Sequence, residues 1–249
     1  WGHLSGGHAK RLNAKNINFT QRLFNERTQF EFDVQAKSAF ADDERKKILI
    51  IGDSYAKDFL EGLVTVFGDD INHFDIIMRS APRNCKTVLA GRPSLNEYLY
   101  PSGTHCFNEI ERMGSSQWLP LIEDADLIVV RNYWDVMTTS EMPRTYDYLN
   151  TINNESVIFI GSQFFGKNNP FGNLLALESV VPNMEMHGTL DVKTYSIYND
   201  EYTSYDLIIQ ATELMSNRNY FDVMGLFCSI EKCRVTDENG YPLTNDMSH

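Results

Sequence analysis

The stretch KKILIIGDSYAKDFLEGLVTVF, residues 46–67, decides the fold. Its aliphatic run at residues 48–51 is typical of a strand that is buried on both faces of a parallel sheet. After the turn Gly52-Asp53-Ser54, apolar residues recur at the i, i+3, i+4 spacing of a helix with one buried face. Those residues are Ala56, Phe59, Leu60, Leu63, Val64 and Phe67. We therefore predict a strand, a tight turn and a helix, in that order.

Four more short apolar segments continue this pattern, and we predict that they are strands: residues 74–78, 126–130, 156–160 and 220–224. Helical stretches fall between several of them, including residues 205–215. Strands that alternate with helices favour a parallel sheet, because parallel neighbours need crossover connections. The predicted fold class is therefore α/β, a three-layer α/β/α sandwich with a central, mostly parallel sheet, as in flavodoxin-like folds. The long segments 79–118 and 161–200 are expected to be loops that shape a binding site.

Residues 1–46 differ from the rest of the chain. They are polar, show no sustained periodicity and contain five phenylalanines, at positions 19, 24, 30, 32 and 40. We interpret them as an extension or linker that packs on the body, residues 47–249, because these rings would be poorly placed in water. No signal peptide and no apolar run of about 20 residues is visible. Since a targeting signal is lacking, we expect the chain to be part of a longer protein.

The charge of the chain narrows its possible partners. Lys and Arg number 22 and Asp and Glu number 34, which gives a net charge of −12. Residues 1–46 hold 8 basic and 6 acidic side chains (+2), so residues 47–249 carry −14. An acidic body repels phosphate backbones, and we therefore expect no nucleic acid partner. A neutral or cationic substrate fits better.

The four cysteines, at positions 85, 106, 228 and 233, form two local pairs. Their spacings lack the CxxC pairs of a zinc ribbon, and we expect no metal and no cofactor. Two disulfides, Cys85–Cys106 and Cys228–Cys233, in an oxidising compartment are one interpretation, and four buried free thiols are the other. The first interpretation favours the periplasm or the cell exterior.

Ser54 lies where ligands bind in an open parallel sheet, just beyond the carboxyl end of a strand. It also begins a helix, whose free N–H groups favour a developing negative charge. A serine becomes a nucleophile when a histidine, oriented by a carboxylate, takes its proton. Asp246 and His249, in the terminal sequence NDMSH, have a spacing that permits this arrangement. The alternatives are that Ser54 caps the helix and that His249 is a solvated terminal residue.

Residues 50–55, IIGDSY, and the terminal Asp-x-x-His together resemble the SGNH hydrolase superfamily. That superfamily has its Gly-Asp-Ser just after the first strand and its catalytic Asp-x-x-His near the C-terminus. The chain is most similar to one branch, the periplasmic SGNH domains fused to membrane acyltransferase-three domains that O-acetylate bacterial surface polysaccharides. That branch also tends to carry cysteine pairs at the places seen here. The resemblance implies that Ser54 is the nucleophile, His249 the base and Asp246 the orienting partner of that base.

The resemblance also implies an oxyanion hole, for which the superfamily usually adds a Gly after the second strand and an Asn after the third. This chain has MRSA at residues 78–81, so the Gly is missing. The backbone N–H groups of Ser54 and of Ser80 or Ala81 are the candidate donors. After the third strand stands RNYW, residues 131–134, without the superfamily's Gly-x-Asn-Asp. Asn132 is the candidate third donor there, and a turn residue is the alternative.

Arg131 and Trp134 are candidate substrate-binding residues at the same strand end. An indole ring stacks on the face of a pyranose, and a guanidinium group donates hydrogen bonds to sugar hydroxyls. The alternative for both is packing, which is common for a partly buried aromatic residue in a loop.

The resemblance implies a serine O-acyltransferase domain in the periplasm, part of an inner-membrane protein, that moves an acetyl group onto a bacterial surface polysaccharide such as lipopolysaccharide O-antigen. The expected partners are a carbohydrate acceptor and a membrane acyltransferase domain in the same protein. One alternative is a secreted carbohydrate acetyl-esterase, since transfer and hydrolysis differ only in whether sugar or water attacks the acyl-enzyme. The other is a non-catalytic glycan-binding or scaffold module, which the missing Gly motivates.

Overall fold

The predicted alternation of strands and helices is present in the structure, a computed structural model that describes residues 29–80, 118–132, 134, 139–153, 156–161, 189–191, 205–226 and 232–234. The helices are α1 (29–36), α2 (Ser54–Phe67), α3 (Leu119–Asp124), α4 (Met142–Ile152) and α5 (Tyr205–Leu214). The strands are β1 (Lys46–Gly52), β2 (Phe74–Ser80), β3 (Leu127–Arg131), β4 (Val157–Ile160), β5 (Thr189–Asp191), β6 (Tyr220–Phe221) and β7 (Lys232–Arg234). Short 3₁₀ helices cover Gly68–His73, Thr139–Glu141 and Met224–Leu226.

The chain divides into two compact units. The first consists of Arg27–Ser162 and Ile209–Phe221, and it contains a five-stranded sheet in the order β2-β1-β3-β4-β6. All neighbouring strands of this sheet are parallel. The second unit consists of Trp1–Glu26, Gln163–Ile208 and Asp222–His249, and it contains the antiparallel pair β5 and β7.

Helices cover both faces of the five-stranded sheet. Leu49 and Ile51 of β1 join a buried cluster with residues of α3 and α4. Ile50 is also fully buried, and it points to the opposite face because side chains alternate along a strand. Helix α2 packs against β1 and β3, and it buries Tyr55, Ala56 and Leu60 outside that cluster. The predicted three-layer α/β/α fold with a parallel sheet is confirmed.

The prediction for the last strand is partly wrong. Strand β6 contains only Tyr220 and Phe221, which pair with the end of β4. The last hydrogen bond of this ladder joins Gly161 N to Phe221 O at 2.9 Å. The chain then turns into a 3₁₀ helix, in which Leu226 N donates to Val223 O. Val223 and Met224 are both buried, so their apolar character reflects this turn and not a longer strand.

The described part of the predicted extension, residues 29–46, belongs to the first unit. Val34 is buried, and Phe40 packs against the core cluster. Phe32, in contrast, is 69% exposed, so the expectation that these rings avoid water is wrong for Phe32. Phe19 and Phe24 lie outside the described residues. The boundary at residue 46 stays a prediction.

Candidate active site

The candidate site lies at the carboxyl edge of the parallel sheet, where β2, β1 and β3 end side by side. Gly52 of β1 pairs with Ser80 of β2 on one side and with Arg131 of β3 on the other. The strand order changes direction here, because β2 lies on one side of β1 and β3 on the other. Open α/β sheets bind ligands at such a switch point. The register thus brings the chain positions of Ser54, Ser80 and Asn132 to one edge.

Asp53, and not Ser54, caps helix α2. The Asp53 carboxylate accepts a hydrogen bond from Tyr55 N at 3.0 Å, which is the standard arrangement of an N-cap. Ser54 is the first residue of the helix and is exposed, whereas Asp53 is buried. The capping alternative for Ser54 is therefore wrong. Its side chain stands at the positive end of the helix dipole, where a developing negative charge is stabilised.

Gly52 permits a very close approach of two strand ends. A Cβ at this position would lie 1.7 Å from the backbone oxygen of Arg131 and 2.8 Å from Cβ of Ala56. Any larger residue would push β3 or the first turn of α2 away from β1. The glycine of the Gly-Asp-Ser motif therefore sets the distance between Ser54 and the residues that follow β3.

Asn132 is bound to the turn that carries Ser54. Its side-chain oxygen accepts a hydrogen bond from Asp53 N at 3.1 Å, and the residue is buried. Because the oxygen faces the turn, the donor group of this amide is its Nδ2 atom. Sequence reasoning offered Asn132 as an oxyanion donor or a turn residue, but it missed this acceptor role. An Asn directly after a strand that neighbours the Gly-Asp-Ser strand is the signal that points to it.

Arg131 carries a buried guanidinium group at the same edge. Only 6% of the residue is exposed, and Nε has no hydrogen-bond partner within the described ranges. The guanidinium carbon lies 5.9 Å from the centre of the Phe59 ring. Burial lowers the pKa of Arg131 below its ordinary value, and the charges of Asp58, Tyr55 and Asp53 oppose this effect. A substrate contact for Arg131 stays a prediction.

Trp134 occupies the core and not the surface of the site. It is 3% exposed, its Nε1 donates to Ile160 O at 3.0 Å, and its ring stacks on Phe159 with a centroid distance of 5.6 Å. A ring buried to this extent presents no face to a sugar, so we remove Trp134 from the candidate substrate-binding residues. Its packing satisfies the polar N–H of the indole, as a buried Trp requires.

A family model described as "SGNH domain (fused to AT3 domains)" matches residues 25–249, which is nearly the whole chain. The chain belongs to this family. The predicted resemblance is confirmed, and membership supports a role in acyl transfer and a fused membrane acyltransferase as partner domain. The match begins at residue 25, so the matched range includes α1 and the residues between α1 and β1.

One solved structure similar to this SGNH domain is the periplasmic domain of the lipopolysaccharide acetyltransferase of Salmonella ser. Paratyphi A. The two share 16% sequence identity with a TM-score of 0.49, over 86% of this chain and 78% of that one. No curated protein matches the chain.

Several predicted site residues of the SGNH domain lie outside the described residues: Asp246, His249, Ala81, Cys85, Cys106 and Cys228. Cys233 lies in β7, where the structure describes the backbone alone. The triad and the two disulfides therefore stay predictions. Among the described residues, no three His, Cys, Asp or Glu side chains are grouped as metal ligands, and no helix has the length and apolar character to cross a membrane.

Proposed function

We propose that this SGNH domain is an extracytoplasmic serine O-acyltransferase that moves an acetyl group onto a hydroxyl of a bacterial surface polysaccharide. The membrane acyltransferase domain of the same protein would supply the acetyl group to the SGNH domain. The SGNH domain would then stand in the periplasm and hold the acceptor glycan. Family membership supports the chemistry, and the site supports the choice of Ser54.

The observation that carries this proposal is the placement of Ser54. It is exposed, it begins α2 at the switch point of the sheet, and Asp53 has already taken the capping role. If the role of Ser54 were only to begin the helix, we would expect its hydroxyl, and not the Asp53 carboxylate, to be the N-cap. Ser54 is instead available to an acyl group, next to the N–H groups of the first helical turn.

The reaction would proceed in two steps through an acyl-enzyme. Ser54 Oγ bonds to the acetyl carbonyl carbon while its proton passes to His249, which Asp246 orients. The bond between the carbonyl carbon and the donor's leaving group then breaks, and the leaving group takes that proton. In the second step a glycan hydroxyl gives its proton to His249 and attacks the carbonyl carbon of acetyl-Ser54. The bond between that carbon and Ser54 Oγ then breaks, and Oγ takes the proton back from His249, so the free serine and the acetylated glycan result.

The negative charge of each tetrahedral intermediate requires backbone donors that are in place before the reaction. We assign this role to the N–H groups of Ser54 and of Ser80 or Ala81, with Asn132 as the third donor. Asn132 supports the assignment because it is bound to Asp53, beside the nucleophile.

Hydrolysis of p-nitrophenyl acetate by the 249-residue chain tests the proposal. We expect a burst of nitrophenol, an acetyl adduct on Ser54 by mass spectrometry, and loss of both in Ser54→Ala and His249→Ala. Ser216→Ala, which removes another exposed hydroxyl at the end of a helix, is the matched control and should retain full activity.

The rate of hydrolysis should also fall on acidification, because the histidine, whose reference pKa is about 6.5, becomes protonated and can no longer accept the proton of Ser54.

The two other functions differ in their outcome. An acetyl-esterase would turn over p-nitrophenyl acetate and leave added oligosaccharide unmodified, whereas the transferase acetylates it. A glycan-binding module would bind the oligosaccharide with the same affinity in the parent and in Ser54→Ala, with no adduct in either. An adduct on a residue other than Ser54 would contradict the assignment of the nucleophile.

A further inference from the structure

Arg79, the penultimate residue of β2, is bound to a segment of chain that precedes β1. Its guanidinium donates to Gln35 O at 3.4 Å and to Lys37 O, and also to Met78 O at 2.9 Å. The side chain is half-buried, and burial lowers its pKa below the ordinary value. All three acceptors are backbone carbonyls, so Arg79 holds the backbone of residues 35–37 in place and forms no ion pair in these contacts.

A second attachment lies four residues earlier on the same face of β2. The Asp75 carboxylate is 1% exposed and accepts hydrogen bonds from Lys37 Nζ at 2.7 Å and from Ala41 N at 2.6 Å. Lys37 Nζ also donates to Ile76 O at 3.2 Å. Residues 35–41 are thereby fixed along β2 at two points, one of them at the end that reaches the site.

The same segment reaches the helix of the nucleophile. Glu31 of α1 forms an ion pair with Lys57, which lies in the first turn of α2, three residues after Ser54. Gln35, also in α1, contacts Met78 Sδ at 3.9 Å. Residues 29–41, which we name the strap, therefore connect the two elements whose ends carry Ser54 and Ser80.

We propose that the strap is a positioning element of the active site and that Arg79 is its positioning residue. This inference rests on the proposed function, in which the N–H groups of Ser54 and Ser80 stabilise the oxyanion. Ser80 is the last residue of β2, and its pairing with Gly52 is the last pairing of β2 with β1. The guanidinium of Arg79, held by two strap carbonyls, fixes the strand where the ladder ends.

Catalysis requires oxyanion donors at accurate positions, so the attachment of Arg79 to the strap affects function as well as structure. Oxyanion donors act at about 2.7–3.1 Å, and a displacement of about 1 Å can cost about 100-fold in rate. The donors of a guanidinium lie in one rigid plane, whereas those of an ammonium group rotate freely around a point charge, so lysine would hold the two strap carbonyls less precisely.

The variants Arg79→Lys and Arg79→Met test this inference in the 249-residue chain. Arg45→Met is the matched control, because Arg45 follows the strap but bonds to Asp43 and not to β2. Three quantities are measured: kcat and KM for p-nitrophenyl acetate, the rate at which a fluorophosphonate probe labels Ser54, and hydrogen exchange of the peptide that ends at Ser80. Glu31→Gln, which breaks an ion pair near the surface, serves if Arg79→Met does not fold.

We expect Arg79→Lys to lower kcat and the labelling rate by about 10- to 100-fold, with KM within about twofold of the parent. Exchange should rise at the end of β2 and stay unchanged in β3 and β4, whereas Arg45→Met should leave all three quantities unchanged. Glu31→Gln should lower kcat several-fold. Full activity in Arg79→Lys and Glu31→Gln, or equal loss of kcat in Arg45→Met, would overturn the inference. A parent whose Ser54 is not labelled would instead overturn the proposed function.

Discussion

At the scale of single residues, Gly52 determines whether the site can form. A Cβ at Gly52 would lie 1.7 Å from Arg131 O. Gly52 and Arg131 both belong to inner strands of the sheet, β1 and β3. Gly52→Ala should therefore force the strands apart and destabilise the protein by about 3 kcal/mol or more. The nucleophile would move with them, so activity should fall more than stability alone explains. Chemical denaturation and ester hydrolysis, measured on the same preparation, check both parts.

Gly62 provides the control for that prediction. It lies in the middle of α2, it is exposed, and a Cβ there would meet no atom within 4 Å. Gly62→Ala should stabilise the protein by about 0.5–1 kcal/mol, because alanine loses less backbone entropy in a helix. If Gly52→Ala lowers the free energy of unfolding and Gly62→Ala raises it, the close approach of the two strands is what matters at Gly52. If both substitutions change the free energy of unfolding in the same direction, the geometry of the turn is contradicted.

The sequence was informative about residues whose role depends on their position along one strand or turn. Ser54 and Asn132 follow buried aliphatic runs, and parallel strands of the same sheet end at one edge. The direction in which a side chain points is a different matter. Asn132 faces Asp53 N, and Trp134 faces the core, because of neighbours that are distant in sequence. A pattern of residue types contains no information about those neighbours.

At the scale of elements, Asn153 joins the ends of two helices. It is the C-cap residue of α4, and its Nδ2 donates to Ile122 O at 2.6 Å and to Ala125 O at 2.7 Å, at the end of α3. Asn153 is 3% exposed, so replacement by Leu leaves two carbonyls without their donor in a dry environment. We expect Asn153→Leu to lower the free energy of unfolding by about 1–3 kcal/mol, measured by urea denaturation.

Thr151→Ala is the matched control for Asn153→Leu. Thr151 is also at the end of α4 and donates to Tyr148 O, but it is exposed, so water replaces the lost bond. Its effect should stay within about 0.5 kcal/mol. If Asn153→Leu were equally harmless, the connection between α3 and α4 would not depend on this side chain.

The attachment of the strap to β2 should depend on pH. Burial alone would raise the pKa of Asp75, but the hydrogen bonds from Lys37 and Ala41 N outweigh it and leave the pKa below its ordinary value. The ionised carboxylate therefore favours the folded state. Its contribution is fully present above the unfolded pKa of about 3.9 and is lost as pH falls through the lower folded pKa. The difference in unfolding free energy between parent and Asp75→Asn should thus be largest near pH 6 and shrink towards pH 2.

Asp43→Asn gives the comparison for Asp75→Asn. The pKa of Asp43 is also lowered, first of all by the hydrogen bond from the Arg45 side chain, but both partners are exposed to solvent. Exposed pairs of this kind contribute little to stability. Denaturation curves between pH 2 and 6 should therefore separate the parent from Asp75→Asn and leave Asp43→Asn close to the parent. A constant difference for Asp75→Asn at all pH values would mean that its charge is not what holds the strap.

Elements were predictable where a periodic pattern was long enough. The runs at residues 48–51 and 126–130 gave β1 and β3 within two residues. For α2 the apolar spacing predicted the helix and the burial of Ala56 and Leu60, but Phe67 is 42% exposed. Strand β6 was overestimated because an apolar run continues into a buried 3₁₀ turn. The strands β5 and β7 were missed, since three residues each are too few to show alternation. The strap was expected to pack through its phenylalanines, yet Asp75 and Arg79 hold it by polar bonds.

At the scale of the whole molecule, the net charge of −12 acts on every ligand that approaches the site. A buried guanidinium at the switch point, Arg131, opposes that field locally, but Asp53 and Asp58 lie close enough to interact with its charge. Beyond about 10 Å, at 0.1 M salt, the surface charges are screened. The overall field should therefore repel anionic substrates at low salt and have little effect on neutral ones.

Two acetyl esters that differ in charge distinguish the effect of the overall negative charge from the local effect of Arg131. For neutral p-nitrophenyl acetate, kcat/KM should change by less than about twofold between 0.02 and 0.5 M salt. For 4-acetoxybenzoate, whose carboxylate is ionised at pH 7, kcat/KM should be lower at low salt and rise several-fold as salt screens the acidic body. A fall with salt for the anionic ester would mean that Arg131 dominates the local field, and Arg131→Met would then remove the effect. In that case an acidic glycan, and not a neutral one, would be the acceptor that the site favours.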